Sequence, residues 1–471
     1  MKKAAPTKGD ILGHRPNIVC IGILDTKGEE IRFLAEEVTK AGGKATIMDV
    51  GLGVESTWAD IPLGEVLSST GSKVEEVFAL DRTSAIEVVG NAGAKKIVEL
   101  YEKGLVDGII AWSGGVGTTV ATIVMRALPI GVPKIMLSTL ASGDVSNWVG
   151  NKDIYMVNPI SEKGINRVTM RIVANAAAAI VAMGRVPAEP QGTAKPLVAL
   201  TAYGTTTPAV VRCQHHMEAK GWDTIVVHQV GTGATMEDLI RSGHITAVFD
   251  ITTAELSNTL LGSIYGMPKG WKGERLTAAG AMGIPQIVCP GGLAQVGYGP
   301  PDKVPESIMK GYRTGERLSY QNSKEPFPHN AAVCIITPTL EEEAQLGREI
   351  VTKLNRTKGP TLFVIPLRGW SAYDQPARFA TIERGWSHER GDGPLWLPDP
   401  ANPDWSHRAT VMCDVVRNEV DRTNPNLDFF AVDMHILDEE FSALLNRCMD
   451  SMLDGTWKKG DLRETRGIVE L

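Results

Sequence analysis

Gly108-Ile109-Ile110-Ala111-Trp112-Ser113-Gly114-Gly115-Val116-Gly117-Thr118-Thr119 is the stretch that decides the fold. Its unbroken apolar run is short, as in a strand buried on both faces. The three glycines end that strand, and an amphipathic helical stretch follows from 118 to 128. Strand, glycine turn and helix in succession form the repeating unit of a parallel sheet with crossover helices. Glycines also let main-chain N–H groups approach an anion, and a helix N-terminus adds its positive end. Gly114, Gly115 and Gly117, with the Thr118 and Thr119 hydroxyls, therefore form a candidate cradle for a phosphate or carboxylate. No Lys-Ser/Thr pair follows, so this is not a Walker sequence, and it is not GxGxxG. The same residues also suit a plain tight turn, and both readings stay open.

Working outward, the pattern recurs. Residues 17–24 read as a strand, 25–28 as a loop, 29–41 as a helix and 44–49 as the next strand. A turn-rich segment, 56–71, precedes a helix over 84–103. Downstream come a strand at 134–137 and an alanine-rich helix from Asn166 to Gly184. Two prolines and a glycine within 185–192 mark a linker, and the pattern restarts at 197. Strands are expected at 197–202, 224–228, 246–250, 286–289, 332–336, 361–367 and 428–433, with helices at 208–220, 236–242, 340–354 and 438–453. Pro208 suits a first helical position, where its missing N–H costs nothing. The expected fold is α/β, with two Rossmann-like, doubly wound domains of mainly parallel strands over 1–187 and 196–471. The linker falls at 188–195, and the ligand cleft is expected between the domains, at the carboxyl ends of the strands. An insertion at about 375–406 breaks the pattern. It carries Trp386, Trp396, Trp405 and several prolines, as in a lid, a binding loop, an interface or an excursion pinned by its tryptophans.

Composition narrows the function classes. The 471 residues suffice for several domains at roughly 100–200 residues each. Lys+Arg 48 against Asp+Glu 55 gives 48 − 55 = −7, which argues against a broadly basic face for nucleic acid. The first ten residues carry two lysines with no apolar stretch behind them, unlike a secretory signal. No run of 18 apolar residues occurs, so no membrane span is expected. Six scattered cysteines without metal-ligand spacing read as reduced thiols of a cytoplasmic protein. A built-in zinc site is not expected.

Other junctions offer chemistry. In Leu24-Asp25-Thr26-Lys27-Gly28-Glu29-Glu30, Lys27 suits a phosphate, and Asp25 and Glu29 suit Mg²⁺; Asp25 or Thr26 also suits a helix cap. Ser142 and Asp144 follow the 134–137 strand. Hydroxyl-rich turns recur at 204–207 and 231–233, and Asp250 and Glu255 flank another strand end. His228 ends a strand and suits a general base or polar anchor. Near the C-terminus, Arg368 suits a bidentate carboxylate contact. Ser371 and His435 would form a nucleophile–base pair if their strands are neighbours, while Asp438 suits a helix cap.

Several stretches carry a family resemblance: GILDTKGEE (22–30), SGGVGTT (113–119), MRALPIGVPKIMLSTLASGD (125–144), RVTMRIVANAAAAI (167–180), ITTAELSN (251–258), GIPQIVCPGG (283–292) and PLRGWSAYD (366–374). Across roughly 15–465, the chain resembles the ATP-binding domain family of the tomato mosaic virus resistance protein. The resemblance implies two Rossmann-like domains, ATP with Mg²⁺ in the N-terminal one and a homodimer or higher homo-oligomer. Gly114, Gly115, Gly117, Thr118 and Thr119 would contact the nucleotide, with Asp25, Lys27 and Glu29 close by. Trp112 and Val116 depart from that family's usual loop, and Gln295 stands where an acid is common.

Three functions follow as expectations. The first is an ATP-binding enzyme acting on a small anionic metabolite. The second is a nucleotide-independent hydrolase or C–C lyase of retro-Claisen or retro-aldol type on a keto or sugar acid. It would use Arg368 for the carboxylate and His228, His435 or Glu255 for proton transfer. The third is a nucleotide-gated interaction module with the tryptophan segment as its surface.

Overall fold

The computed structural model describes residues 14–186, 195–268, 271, 273–462 and 467–469. It divides into two compact units, Met1–Ala194 and Lys195–Leu471. Apart from Lys195, the expected linker lies outside the described residues.

The N-terminal unit alternates as its sequence pattern requires. β1 (Asn17–Gly22), α1 (Leu24–Lys40), β2 (Lys44–Asp49), α2 (Arg82–Glu102), β3 (Gly108–Ser113), α3 (Gly115–Ala127), β4 (Lys134–Ser138), β5 (Tyr155–Val157) and α4 (Arg167–Gly184) follow in order. The strands form one parallel sheet, ordered β2-β1-β3-β4-β5. Its central strands β1 and β3 are mainly apolar because both of their faces are covered. Val19, Ile21, Ile109 and Ala111 pack with the α2 and α3 side chains. Their neighbours Ile18, Cys20, Ile110 and Trp112 point the opposite way, onto α1 and α4, as the two-residue period of a strand demands.

α4 alone is long and apolar enough, by length and composition, to cross a membrane among the described residues. Val173, Ala177, Ile180 and Val181 are spent on the sheet instead. α1 begins earlier than the expected helix and kinks at Lys27. Neither Asp25 nor Thr26 caps it. The carboxylate of Asp49, at the end of β2, accepts from Leu24 N at 3.5 Å and Gly51 N at 2.9 Å.

In the C-terminal unit, β6 (Leu197–Ala202), α5 (Thr207–Ala219), β7 (Asp223–His228), α6 (Gly233–Arg241), β8 (Ile245–Thr252) and β9 (Gln286–Gly291) repeat the pattern. Then come β10 (Val296–Tyr298), β11 (Phe327–Asn330), β12 (Val333–Ile336), α7 (Leu340–Leu354), β13 (Thr361–Pro366), α8 (His407–Glu419), β14 (Leu427–Val432), α9 (Glu439–Leu453) and β15 (Ile468–Val469). The main sheet runs β15-β14-β13-β9-β8-β6-β7, parallel except for β15. The 332–336 strand, expected as part of the main pattern, belongs elsewhere. It is the centre of a separate antiparallel sheet, β10-β12-β11. Its inward residues pack with Tyr312 and Ile308.

The 375–406 segment is pinned to its own unit. Trp386 and Trp396 are buried, and Trp405 Nε1 donates to Asp433 at 2.8 Å.

Candidate functional site

Strand order decides where the turns meet. β1 lies between β2 and β3, and the chain departs in opposite directions from this pair. A doubly wound sheet opens a crevice at such a switch point, beyond the carboxyl ends of its strands. Here the crevice separates the turn after β1 from the glycine turn after β3. A cavity of about 310 Å³ fills it, lined by Thr26, Lys27, Gly114, Gly115, Gly117 and Glu162 among others. A second cavity, of about 410 Å³, shares Ile23, Thr26 and Val116 with it and adds Leu52, Leu80 and Arg82.

The glycines are shaped to this place. A Cβ at Gly117 would fall on the Ser113 side chain, and one at Gly114 on the Glu162 carboxylate. A Cβ at Gly115 would meet nothing within 4 Å, so the head of α3 faces open space there. Gly114 is the cap residue of α3, and no side chain caps that helix. Its first-turn N–H groups and dipole therefore point toward the cavity without a side-chain acceptor at the cap.

The hydroxyls turn away. Thr118 is fully buried, donating to Gly114 O at 2.8 Å and standing 2.7 Å from Ser138 Oγ. Thr119 donates to Gly115 O at 3.1 Å and accepts from Trp148 Nε1 at 3.0 Å. Both side chains, expected to contact a ligand, are engaged in bonds within the protein, and neither is among the residues lining the glycine-turn cavity.

Lys27 is buried beside the cavity. Its ammonium bonds the main-chain oxygen of Glu162 and lies 3.4 Å from Glu30 Oε1. The Gly164 N–H also donates to Glu30, at 3.1 Å. Burial raises the Glu30 carboxyl, but this N–H and the Lys27 charge outweigh it and hold it below its usual range. Lys27 and Glu30 together clamp the segment around Glu162 over the glycine turn. Thr139 Oγ1 holds that glutamate's other oxygen at 2.9 Å. Sequence reading missed Glu162 and Lys163, because their segment has no periodicity and its partner Lys27 lies 135 residues away.

Asp25 and Glu29 line a neighbouring cavity of about 350 Å³, together with Arg32 and Lys163. Among the described residues, no group of three or more His, Cys, Asp or Glu side chains is placed to hold a metal ion. Ser142 donates to Thr139 O, and Asp144 accepts from Ser146 N at 2.9 Å, heading the short helix Ser146–Val149. Neither lines the glycine-turn cavity.

The residues singled out in the C-terminal unit do not assemble into one site. Glu255 is fully buried, accepting from Gly231 N at 2.6 Å, Gly233 N at 2.9 Å and Arg275 Nε at 3.1 Å. It holds the turn after β7 rather than facing a cavity. Arg368 is bound bidentately by Asp433, at 2.8 Å for each contact. That pairing pushes the guanidinium up and the Asp433 carboxyl down.

Ser371 and His435 are both buried, yet they form no side-chain pair. Ser371 Oγ accepts from Tyr373 N at 3.2 Å. His435 Nδ1 accepts from Leu437 N at 3.1 Å, and Nε2 stands 3.2 Å from Asp374 O. The backbone donor fixes the neutral Nε2–H tautomer, so neither nitrogen is left to take a proton from Ser371. Burial, with Arg384 nearby, pushes this imidazole down to about 4. His228, at the end of β7, borders a cavity.

The comparisons with known proteins fit these two units. The N-terminal domain of uncharacterised protein family UPF0261 matches residues 16–189, and its C-terminal domain matches 195–384. A UPF0261 protein of Clostridium tetani is 38% identical over 361 residues, 76% of this chain and 85% of that protein. One from Mesorhizobium japonicum is 35% identical over 436 residues, covering 92% and 98%. The tomato ToMV resistance protein Tm-1(GCR237) is 30% identical over 389 residues, 78% of this chain but 49% of the tomato protein. A solved UDP-N-acetylglucosamine 2-epimerase from Rickettsia bellii aligns at 12% identity over 58% of this chain and 79% of its own, with a TM-score of 0.20. At that score nothing is carried over from it. Matched in both halves and by relatives along most of its length, the chain belongs to the uncharacterised protein family UPF0261.

Proposed function

We propose that the N-terminal unit binds ATP with Mg²⁺ and that the protein is an enzyme acting on a small anionic metabolite. One observation carries the nucleotide reading: the head of α3 has no side-chain cap, and it opens at Gly115 into a cavity at the β1/β3 switch point. Main-chain N–H groups at a helix N-terminus favour phosphate oxygens. Gly114, Gly115 and Gly117 would hold a phosphate, with Lys27 and Lys163 as the nearby cations. The adjoining cavity, with Leu52, Leu80 and Arg82, suits the base and ribose. Asp25 and Glu29 are the carboxylates nearest to a phosphate-bound Mg²⁺, which commonly takes only one or two protein carboxylates. ATP would supply a phosphoryl or nucleotidyl group. The chain's own part is to orient the phosphates at the glycine turn.

The nucleotide-independent hydrolase or lyase is disfavoured. Its carboxylate binder, Arg368, is spent on Asp433, and His435 has both nitrogens engaged.

The test is thermal unfolding with and without millimolar MgATP. Ligand binding to the folded state raises Tm by mass action. Gly115→Asp places a carboxylate at the cradle without a steric clash and is expected to abolish that rise. An equal rise in this variant would overturn the glycine-turn assignment. No rise in the parent protein would overturn nucleotide binding altogether.

A further inference from the structure

The C-terminal unit has its own crevice. β6 lies between β7 and β8, so the turn after β6 borders a switch point of the second sheet. A cavity of about 320 Å³ opens there, bordered by Thr205, His228, Tyr265, Gln295, His329 and Tyr373 among others. The antiparallel β10-β12-β11 sheet supplies part of its wall, through His329 and Ile335.

Gln295 is the telling residue. It is only 4% exposed. Its Oε1 accepts from Thr205 Oγ1 at 2.9 Å, and its main-chain oxygen accepts from Asn258 Nδ2 at 3.0 Å. Its Nε2 is buried with no partner. A buried donor left unpaired is costly, and this one belongs to a residue that borders the cavity. An acceptor supplied from outside the chain, a water or a ligand, would satisfy it.

The surroundings specify that acceptor. No Asp, Glu, Lys or Arg borders the cavity among the described residues. Its ionisable groups are two imidazoles and the tyrosines. The His228 ring stands edge-on to Tyr203 at 5.9 Å, and His329 Nδ1 lies 3.2 Å from Tyr373 OH. A recess lined by imidazoles and neutral donors, without a carboxylate, favours a negative ligand over a cation. The walls are flat and aromatic. A Cβ at Gly297 would fall on the Tyr265 ring, so that glycine lets the ring lie against the backbone.

We infer that this cavity binds a small planar organic acid. Its carboxylate pairs with Gln295 Nε2 and the two imidazoles, and its flat body lies against Tyr265 and Tyr373. The inference rests on the reading of the protein as an enzyme of a small anionic metabolite, for which it names the place and ligand class. It does not depend on the nucleotide.

The experiment uses the full chain, with benzoate and phenylpyruvate as probes and benzyl alcohol as the uncharged isostere, followed by ligand-observed NMR and calorimetry. Saturable millimolar binding of at least one acid is expected, with the alcohol at least about tenfold weaker. The double variant His228→Gln, His329→Gln changes two exposed side chains. It should weaken acid binding about tenfold or more while keeping the parent Tm and the parent response to MgATP. Gln295→Met, similar in volume, should weaken the acid as well. Failure of both acids to saturate, equal affinity for the alcohol, or unchanged affinity in the histidine variant would overturn the inference. Acid binding without a MgATP response would defeat only the nucleotide reading. A MgATP response without acid binding would defeat only this one.

Discussion

The Glu162 carboxylate stands against Gly114 at the head of α3, so close that a Cβ at residue 114 would fall on its Oε1. Thr139 holds its Oε2 from the other side at 2.9 Å. An anion of the protein's own thus sits beside the cradle proposed for the phosphates. A carboxylate favours the positive end of a helix, and it repels a second anion arriving there.

Glu162→Gln removes that repulsion while keeping an oxygen for Thr139. MgATP should then bind about tenfold tighter, a change of about 1.4 kcal/mol, read by calorimetry. Weaker binding would mean that the carboxylate assists the ligand, by way of a metal, instead of competing with it.

Gly117 is required by packing. Its hypothetical Cβ collides with the buried Ser113 side chain at the end of β3. Gly117→Ala should cost about 1–3 kcal/mol of stability in urea unfolding, despite alanine's better helix propensity. Adding Ser113→Gly should recover much of the loss, because the two sites are directly coupled. Additive losses in the double variant would refute the collision as the cause.

Arg275 anchors a buried charge cluster in the C-terminal unit. It pairs with Asp250 at 2.6 and 2.7 Å, with Glu255 at 3.1 Å and with Gln229 Oε1 at 3.0 Å. Lysine has no planar fork to serve all of these. Arg275→Lys should therefore destabilise by about 3–5 kcal/mol, measured by urea unfolding. A loss below about 1 kcal/mol would show that the cluster relaxes at little cost.

His435 makes stability depend on acidity. Burial lowers its folded-state value from 6.5 to about 4. Between these values the unfolded chain binds more protons, so stability increases with pH in that window. It is fully present above pH 6.5 and is lost as pH falls toward 4. At about pH 5 the loss from this residue is on the order of 2 kcal/mol. His435→Gln lacks the titration. Its unfolding free energy should fall less than the parent's between about pH 7 and pH 5; parallel curves would refute the assignment.

Much of the fold was legible because its signals are local. The run from Ile109 to Trp112 must be buried on both sides, and the glycines after it mark a strand–helix junction. β12 was misplaced because periodicity reports that a segment is extended, not which sheet it joins. The antiparallel pairing of Cys334 with Tyr298 arises from a neighbour that no local pattern names. Candidate residues fared according to their partners. Nothing near Arg368 in the chain announces Asp433, which lies 65 residues away. Glu255 looked free for chemistry until the turn at 231–233 folded onto it.

By itself, then, the sequence determined the alternation of strand and helix, the apolar character of the central strands and the glycine turns that end them. Each depends on residues within a few positions of one another. Only the tertiary structure decided which turns share a cavity. The strand order β2-β1-β3 sets Lys27 and the Glu162 segment around the glycine turn at 114–117. It also decided which charges are already neutralised, because electrostatic partners are chosen by distance in space, and chain separation places no limit on that choice.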